Sequence, residues 1–189
     1  MALFRTEPPS AQPVTSSDAK AFARIETSDE DDLVATLIAV ATEHIEAATG
    51  LALLTQKWRL TLDAWPRGGI VEIACSPVQT VDEVQVYDAG GRPSLVDLSS
   101  SVLDAKARPA RLYLGTPSAP GRMLNGIEID FTAGFGDTAA DVPDALKQAI
   151  LLHVARMYEF RGAVSAENQP AAIPPGYDRL IAPWRRRSL

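Results

Sequence analysis

The sequence predicts an α+β fold that is mainly α: a packed helical core with a small antiparallel β unit inserted at about residues 56–132. Three observations lead there. Apolar residues recur at helical spacing in two long segments toward the ends of the chain, 29–49 and 142–161. Between them the period drops to two, in short runs broken by turn residues roughly every 8–12 positions. Strands and helices do not alternate, so the strands are expected to pair antiparallel and not through βαβ crossovers.

Residues 1–14, with Pro8, Pro9 and Pro13, read as a flexible extended arm. Thr15-Ser-Ser-Asp18 is a capping box opening a short helix over 15–25, in which Phe22 and Ile25 are expected to pack. Ser28 is the expected N-cap of the second helix, over 29–49. Asp29, Glu30, Asp31 and Asp32 then crowd its first turn, where the helix dipole favours negative charge. Leu33, Leu37, Val40, Ala41, His44, Ile45 and Ala48 form its stripe, and Gly50 stops it.

Trp58, Leu60 and Leu62 alternate with Arg59, Thr61 and Asp63, the pattern of a half-buried strand. Further strands are expected at Ile70–Ala74, Val81–Tyr87, Leu95–Leu98, Arg111–Leu114 and Gly126–Phe131. In the last, Ile127, Ile129 and Phe131 share one face. The turn Thr132-Ala-Gly-Phe-Gly-Asp137 leads to an Asp N-cap in Asp141-Val-Pro-Asp144. Pro143 stands near the first position of a helix to Arg161, with Leu146, Ile150, Val154 and Met157 as its stripe. A polar loop, a short C-terminal helix and Trp184-Arg-Arg-Arg187 follow. The expected organisation is an arm (1–14), one domain (15–162) and a loop with a docking tail (163–189).

At 189 residues, 46% hydrophobic and 22% charged, the composition is that of a folded globular chain. The net charge of −6 is unevenly spread: residues 1–50 carry nine acids against three bases, and the last thirteen carry one acid against four arginines. A dedicated DNA-binding module needs a broad basic face, and this balance argues against one; an acidic wall along which DNA slides is compatible with it. The single cysteine, Cys75, excludes an intrachain disulfide and a Cys-rich zinc site. No secretory signal is expected in the first residues, and no apolar run reaches the roughly 20 residues of a membrane span.

Candidates for chemistry are few. His44 and His153 lie on or beside apolar helical stripes and could meet in space, but neither carries partners at ligand spacing. Asp29–Asp32 lacks the alternating oxygens and glycine turn of a calcium loop. Gly134-Phe-Gly136 matches neither a phosphate loop nor a dinucleotide fingerprint. Cys75 has no basic activator nearby in sequence. No catalytic activity, cofactor or metal is expected. Trp184 with Arg185, Arg186 and Arg187 is the better candidate for function, because Trp and Arg dominate interface energetics.

The order of motifs carries more than any one of them. Glu46-Ala-Ala-Thr-Gly50 is followed by Thr55-Gln-Lys-Trp58, Trp65-Pro66, Ser76-Pro77-Val78, Tyr87-Asp88 and Gly90-Gly91. Then come Ala133-Gly-Phe-Gly136, Val142-Pro143 and Tyr158-Glu-Phe-Arg161. Over roughly residues 13–187 this series resembles the head–tail connector (adaptor, head-completion) proteins of siphovirus-type phages and gene transfer agents. Ala23 and Phe135 depart from the usual Leu and Tyr. The resemblance marks Gly50, Trp58, Pro77, Gly134, Gly136, Pro143, Tyr158 and Arg161 as structural motif positions. It implies a ring of copies, expected to be a dodecamer, attached under the portal. That ring extends the channel for double-stranded DNA and offers a platform to a stopper or tail-terminator protein, in the neck of a particle assembled in the bacterial cytoplasm. It makes Tyr177, Trp184, Arg185, Arg186 and Arg187 candidates for portal docking, and the tips Arg67–Gly69 and Gly90–Pro93 candidates for contacts with neighbours or tail-side proteins. The alternatives are another neck protein such as a stopper, a small enzyme using His44 and His153, and a host regulatory or binding module.

Overall fold

The computed structural model describes residues 1–160 and 173–185. Four α-helices and eight β-strands occur among them, and the chain clusters into two compact units. One unit combines Met1–Pro9 with Thr55–Phe135, and the other Ser10–Leu54 with Gly136–Leu189.

The first unit is all β. Strands β1 (Ala2–Glu7), β2 (Gln56–Leu62), β4 (Val78–Tyr87), β5 (Pro93–Leu95) and β8 (Ile127–Ala133) form one sheet in the order β1-β2-β8-β4-β5. Strands β3 (Ile70–Ile73), β6 (Val102–Asp104) and β7 (Ala110–Tyr113) form a second, in the order β3-β7-β6. Every pairing is antiparallel. β8 shows why the fold forms: Ile127, Ile129, Phe131 and Ala133 are buried, whereas Glu128, Asp130 and Thr132 between them are half-exposed. Leu60 and Leu62 of β2 and Val84 and Val86 of β4 bury beside them. In the second sheet Val71, Ile73, Ala110 and Leu112 point inward.

The second unit is helical, with α1 (Ser16–Ala23), α2 (Asp31–Thr49), α3 (Asp144–Phe160) and α4 (Tyr177–Ile181). α1 begins at the capping box read from the sequence: the Asp18 amide donates to Thr15 Oγ1 at 3.0 Å and the Thr15 amide to Asp18 Oδ2 at 3.2 Å. Gly50 ends α2 at φ 69°, its amide bonded to the Glu46 carbonyl at 2.8 Å. Leu146, Ile150, Val154 and Met157 bury on α3, joined by Ala149 and His153.

Several expectations are corrected. The fold is not mainly α: of the described residues 32% are helical and 27% strand, and the strands make sheets of five and three, not a small insertion in a helical core. Residues 2–7, expected within a flexible arm, pair with β2 from Ala2↔Thr61 to Glu7↔Lys57. β1 is an edge strand exposed along nearly its whole length, so no buried alternation announces it. α2 starts two residues later than expected, with Glu30 and not Ser28 at the N-cap position. Its buried stripe is Val34, Leu37, Ile38, Ala41, Ile45 and Thr49, while Leu33, Val40 and His44 are only half-buried and Ala48 is exposed. Asp141 caps a 3₁₀ turn over Ala139–Asp141, accepting from the Thr138 amide at 2.9 Å, and the Leu146 and Lys147 amides of α3 donate to the Pro143 carbonyl. Phe22 stays exposed, whereas Ile25 packs.

Candidate docking surfaces

The C-terminal segment divides into a buried anchor and an exposed end. Gly176, at φ 87°, turns the chain into α4, which buries Tyr177 and Ile181. The Tyr177 ring stands 5.7 Å from that of His44 on α2 and 5.5 Å from that of His153 on α3, and the two histidines are 5.1 Å apart. Edge-on contacts, as His153 makes with both other rings, add to the burial of the rings. Burial pushes the Tyr177 phenol up to about 12, the Arg185 charge opposing and Asp178 reinforcing the shift. Its hydroxyl finds no hydrogen-bond partner among the described residues.

This corrects one candidate and explains two others. Tyr177 is wholly buried, so it holds α4 to the helices and presents nothing to a partner. His44 and His153 do meet, as the sequence allowed, but His153 is also wholly buried and the three rings fill space against one another. Among the described residues the arrangement at His153 is that of a core. No group of three or more His, Cys, Asp or Glu that could hold a metal occurs among the described residues.

A 3₁₀ turn, Ala182–Trp184, extends from α4, leaving Trp184 half-buried and Arg185 exposed. Arg185 Nη2 donates to Asp178 Oδ1 at 2.6 Å, seven residues back, which ties the turn to the start of α4. Arg186 and Arg187 lie outside the described residues, as does Arg161.

The remaining motif positions have local physical reasons. Gly134 sits at φ 145°, and its amide donates to the Pro77 carbonyl at 2.9 Å while its own carbonyl accepts from Gln79 Nε2 at 2.9 Å. At Gly136 a Cβ would lie 2.4 Å from the Asp141 carboxyl carbon, in the space the capping side chain occupies. The chain passes between its two units at this Gly-Phe-Gly turn. Tyr158 donates a short hydrogen bond to Glu30, tying the end of α3 to the start of α2. Trp58 pairs with Phe131 across β2 and β8. The Ser76–Pro77 bond is cis.

The solvent-side face of the larger sheet carries an ion network that the sequence did not reveal. Arg59 grips Asp130 with two bonds of 2.6 and 2.7 Å and reaches Glu128 at 2.9 Å. Tyr87 donates to the same Glu128 at 3.0 Å. The hydrogen bond to Asp130 holds the Arg59 guanidinium charged beyond its already high usual range, while burial and then Glu128 raise the Tyr87 phenol. The one legible signal was the charged alternation of β2 and β8; their register, Arg59↔Asp130, makes it a network.

Both expected tips are turns. Arg67 lies in the bend closed by the Gly69 amide on the Pro66 carbonyl at 3.0 Å. Gly90–Pro93 belongs to the β4–β5 hairpin, where Asp88 Oδ1 accepts from the Arg92 amide at 2.9 Å. Large apolar side chains are exposed elsewhere on the same unit: Ile70, Val102, Tyr113, Met123 and Leu124. Single exposed apolar residues are ordinary on a protein surface, but several together mark places where a partner gains by covering them.

The profile of the phage gp6-like head-tail connector proteins matches residues 15–89. No curated protein matches the chain. Among solved structures, a chain in the virion of a native gene transfer agent (GTA) particle is similar over 100% of this chain and 97% of its own, with 31% identity and a TM-score of 0.81. A chain in the neck of an empty GTA particle computed with C6 symmetry has 30% identity and a TM-score of 0.82 over the same shares. One in the neck of a native GTA particle computed with C12 symmetry has 32% identity and a TM-score of 0.72, again over 100% and 97%. Likeness at this level of identity, continuous through both units, extends the profile match to the whole chain, which belongs to the phage head–tail connector family.

Proposed function

We propose that this protein forms the connector ring in the neck of a gene-transfer-agent-like particle, attached beneath the portal. There it extends the channel through which double-stranded DNA leaves the head and provides the platform for a stopper or tail-terminator protein. The observation that carries the reading is the full-length likeness to chains of GTA particle necks, one of them computed with C12 symmetry. Twelve copies is accordingly the expected stoichiometry.

The physical properties of the chain suit the role. A cyclic ring repeats one head-to-tail contact, and closure lets each contact be modest. A net charge of −6 per copy gives a ring whose wall DNA passes without adhering, because like charges repel the phosphates. Trp184 and Arg185 follow α4 in a turn tied to its start and stand as the portal-docking candidates, with Arg186 and Arg187 beyond them. Tyr177 serves by anchoring that segment.

Negative-stain microscopy of particles from a producing strain lacking this gene tests the reading. Separate heads and unattached tails, with DNA lost from the heads, are expected. Intact tailed particles would overturn it.

A further inference from the structure

We propose that the Arg122-Met123-Leu124 tip of one copy seats on the Ile70–Tyr113–Val102 row of the next copy in the ring; this rests on the ring reading above. The tip belongs to the loop between β7 and β8. Met123 and Leu124 are 89% and 69% exposed, yet the loop beneath them is tied down at several points. The Gly121 amide donates to the Tyr87 carbonyl at 2.8 Å, the Asn125 amide to Asp63 Oδ1 at 2.8 Å, and Trp65 Nε1 to the Ser118 carbonyl at 2.8 Å. A Cβ at Gly121 would lie 2.3 Å from the Ala89 nitrogen, so the backbones are in direct contact there. A tip whose backbone is already ordered loses little backbone entropy when it is covered.

The receiving surface is the outer face of the three-stranded sheet. Ile70 pairs with Tyr113 and Tyr113 with Val102, so the three side chains stand in one row across β3, β7 and β6. They are 44%, 45% and 61% exposed, while Val71 and Leu112, the next pair along, are buried on the opposite face. Beside the apolar row runs a charged one, Glu72–Arg111–Asp104, in which Arg111 is bound to Asp104 at 2.5 Å. Glu72 makes no ion pair among the described residues. Neither does Arg122, whose guanidinium stacks 4.9 Å above the Tyr87 ring. Each patch is thus apolar and flanked by one charge that the chain leaves unpaired, negative on the sheet and positive on the tip.

That complementarity points to a second copy as occupant. Both halves of the contact lie on one chain and differ from each other, which is the head-to-tail arrangement that closes into a ring. Five side chains fall well short of the roughly 800 Å² per partner of a standard stable interface. The contact therefore holds when closure and the portal add to it, and it does not require oligomers of the isolated protein.

The test uses complete particles carrying Val102→Cys with Leu124→Cys, treated with a short bismaleimide and run on a denaturing gel. A ladder of covalent multimers is expected from the double variant and not from either single variant, Cys75 being buried. In parallel, Glu72→Arg and Arg122→Glu are each expected to cut the yield of tailed particles on the order of tenfold, and their combination to restore most of it. Protein present in the neck by mass spectrometry, with no ladder and no restoration, would overturn this contact and leave the ring reading standing. Protein absent from unmodified particles would overturn both. The cysteine pair leaves Arg122 in place, so it reads the contact even if Arg122→Glu disturbs the loop.

Discussion

Replacing Tyr177 by Phe or Ala separates a buried anchor from a docking group, and its size follows from the geometry. The ring is wholly buried against His44 and His153, and its hydroxyl has no hydrogen-bond partner among the described residues. Removing an unsatisfied buried hydroxyl is neutral or stabilising, so near pH 8 Tyr177→Phe should fall within about 1 kcal/mol of the parent, on the stabilising side. Removing the ring creates a cavity, and Tyr177→Ala should cost about 3–5 kcal/mol. Alkaline pH adds an independent readout. The folded-state pKa is pushed up to about 12, against about 10 for an unfolded tyrosine. The associated stability is fully present below pH ~10 and is lost as pH rises toward 12, because the unfolded state releases its proton first. At pH 11 this amounts to about 1.4 kcal/mol for one such tyrosine, a loss that the Phe variant escapes. Urea unfolding of the purified protein at pH 8 and pH 11, comparing parent with variant, isolates Tyr177 from Tyr87, which both retain. A parent-minus-Phe difference that is the same at the two pH values would refute the buried, neutral phenol. So would an Ala variant that unfolds like the parent but assembles poorly, the behaviour of a docking residue.

Other consequences can be measured on the same material. Gly121→Ala drives a Cβ into the Ala89 backbone and should destabilise the β unit by about 2 kcal/mol or more, seen as a lower urea midpoint. Arg59→Met leaves Glu128 and Asp130 without their shared cation and should cost about 2 kcal/mol, whereas Arg59→Lys, which loses the two-pronged grip, should cost less; thermal unfolding of the pair orders them. Thr15→Ala removes the α1 cap, an expected loss of about 1 kcal/mol in denaturant. The Thr15 hydroxyl also donates to Asp18 Oδ2, and with the Thr15 amide it holds the Asp18 carboxyl below its usual range. That contribution is present above about pH 4 and lost as pH falls through the folded-state value, so the deficit of Thr15→Ala should shrink in acid.

What the sequence determined by itself was what neighbouring residues decide. The Thr15–Asp18 capping box, the Gly50 stop, the apolar stripe of α3 and the alternation of β8 are short-range patterns, and they reappear where the residues placed them. The order of the motifs was enough to identify the family. Other features depend on partners far along the chain. β1 is a strand because β2 offers it an edge more than fifty residues away, not because its own residues alternate in burial. The division into sheets of five and three follows from which strands meet: β2 and β4 both pair with β8, while β3 and β6 pair with β7. Tyr177 looked like part of an exposed tail until α2 and α3 brought His44 and His153 against it, and Phe22 looked like core but is left exposed. A side chain's burial and its ion partners are set by whatever packs over it, and only the tertiary structure supplies that.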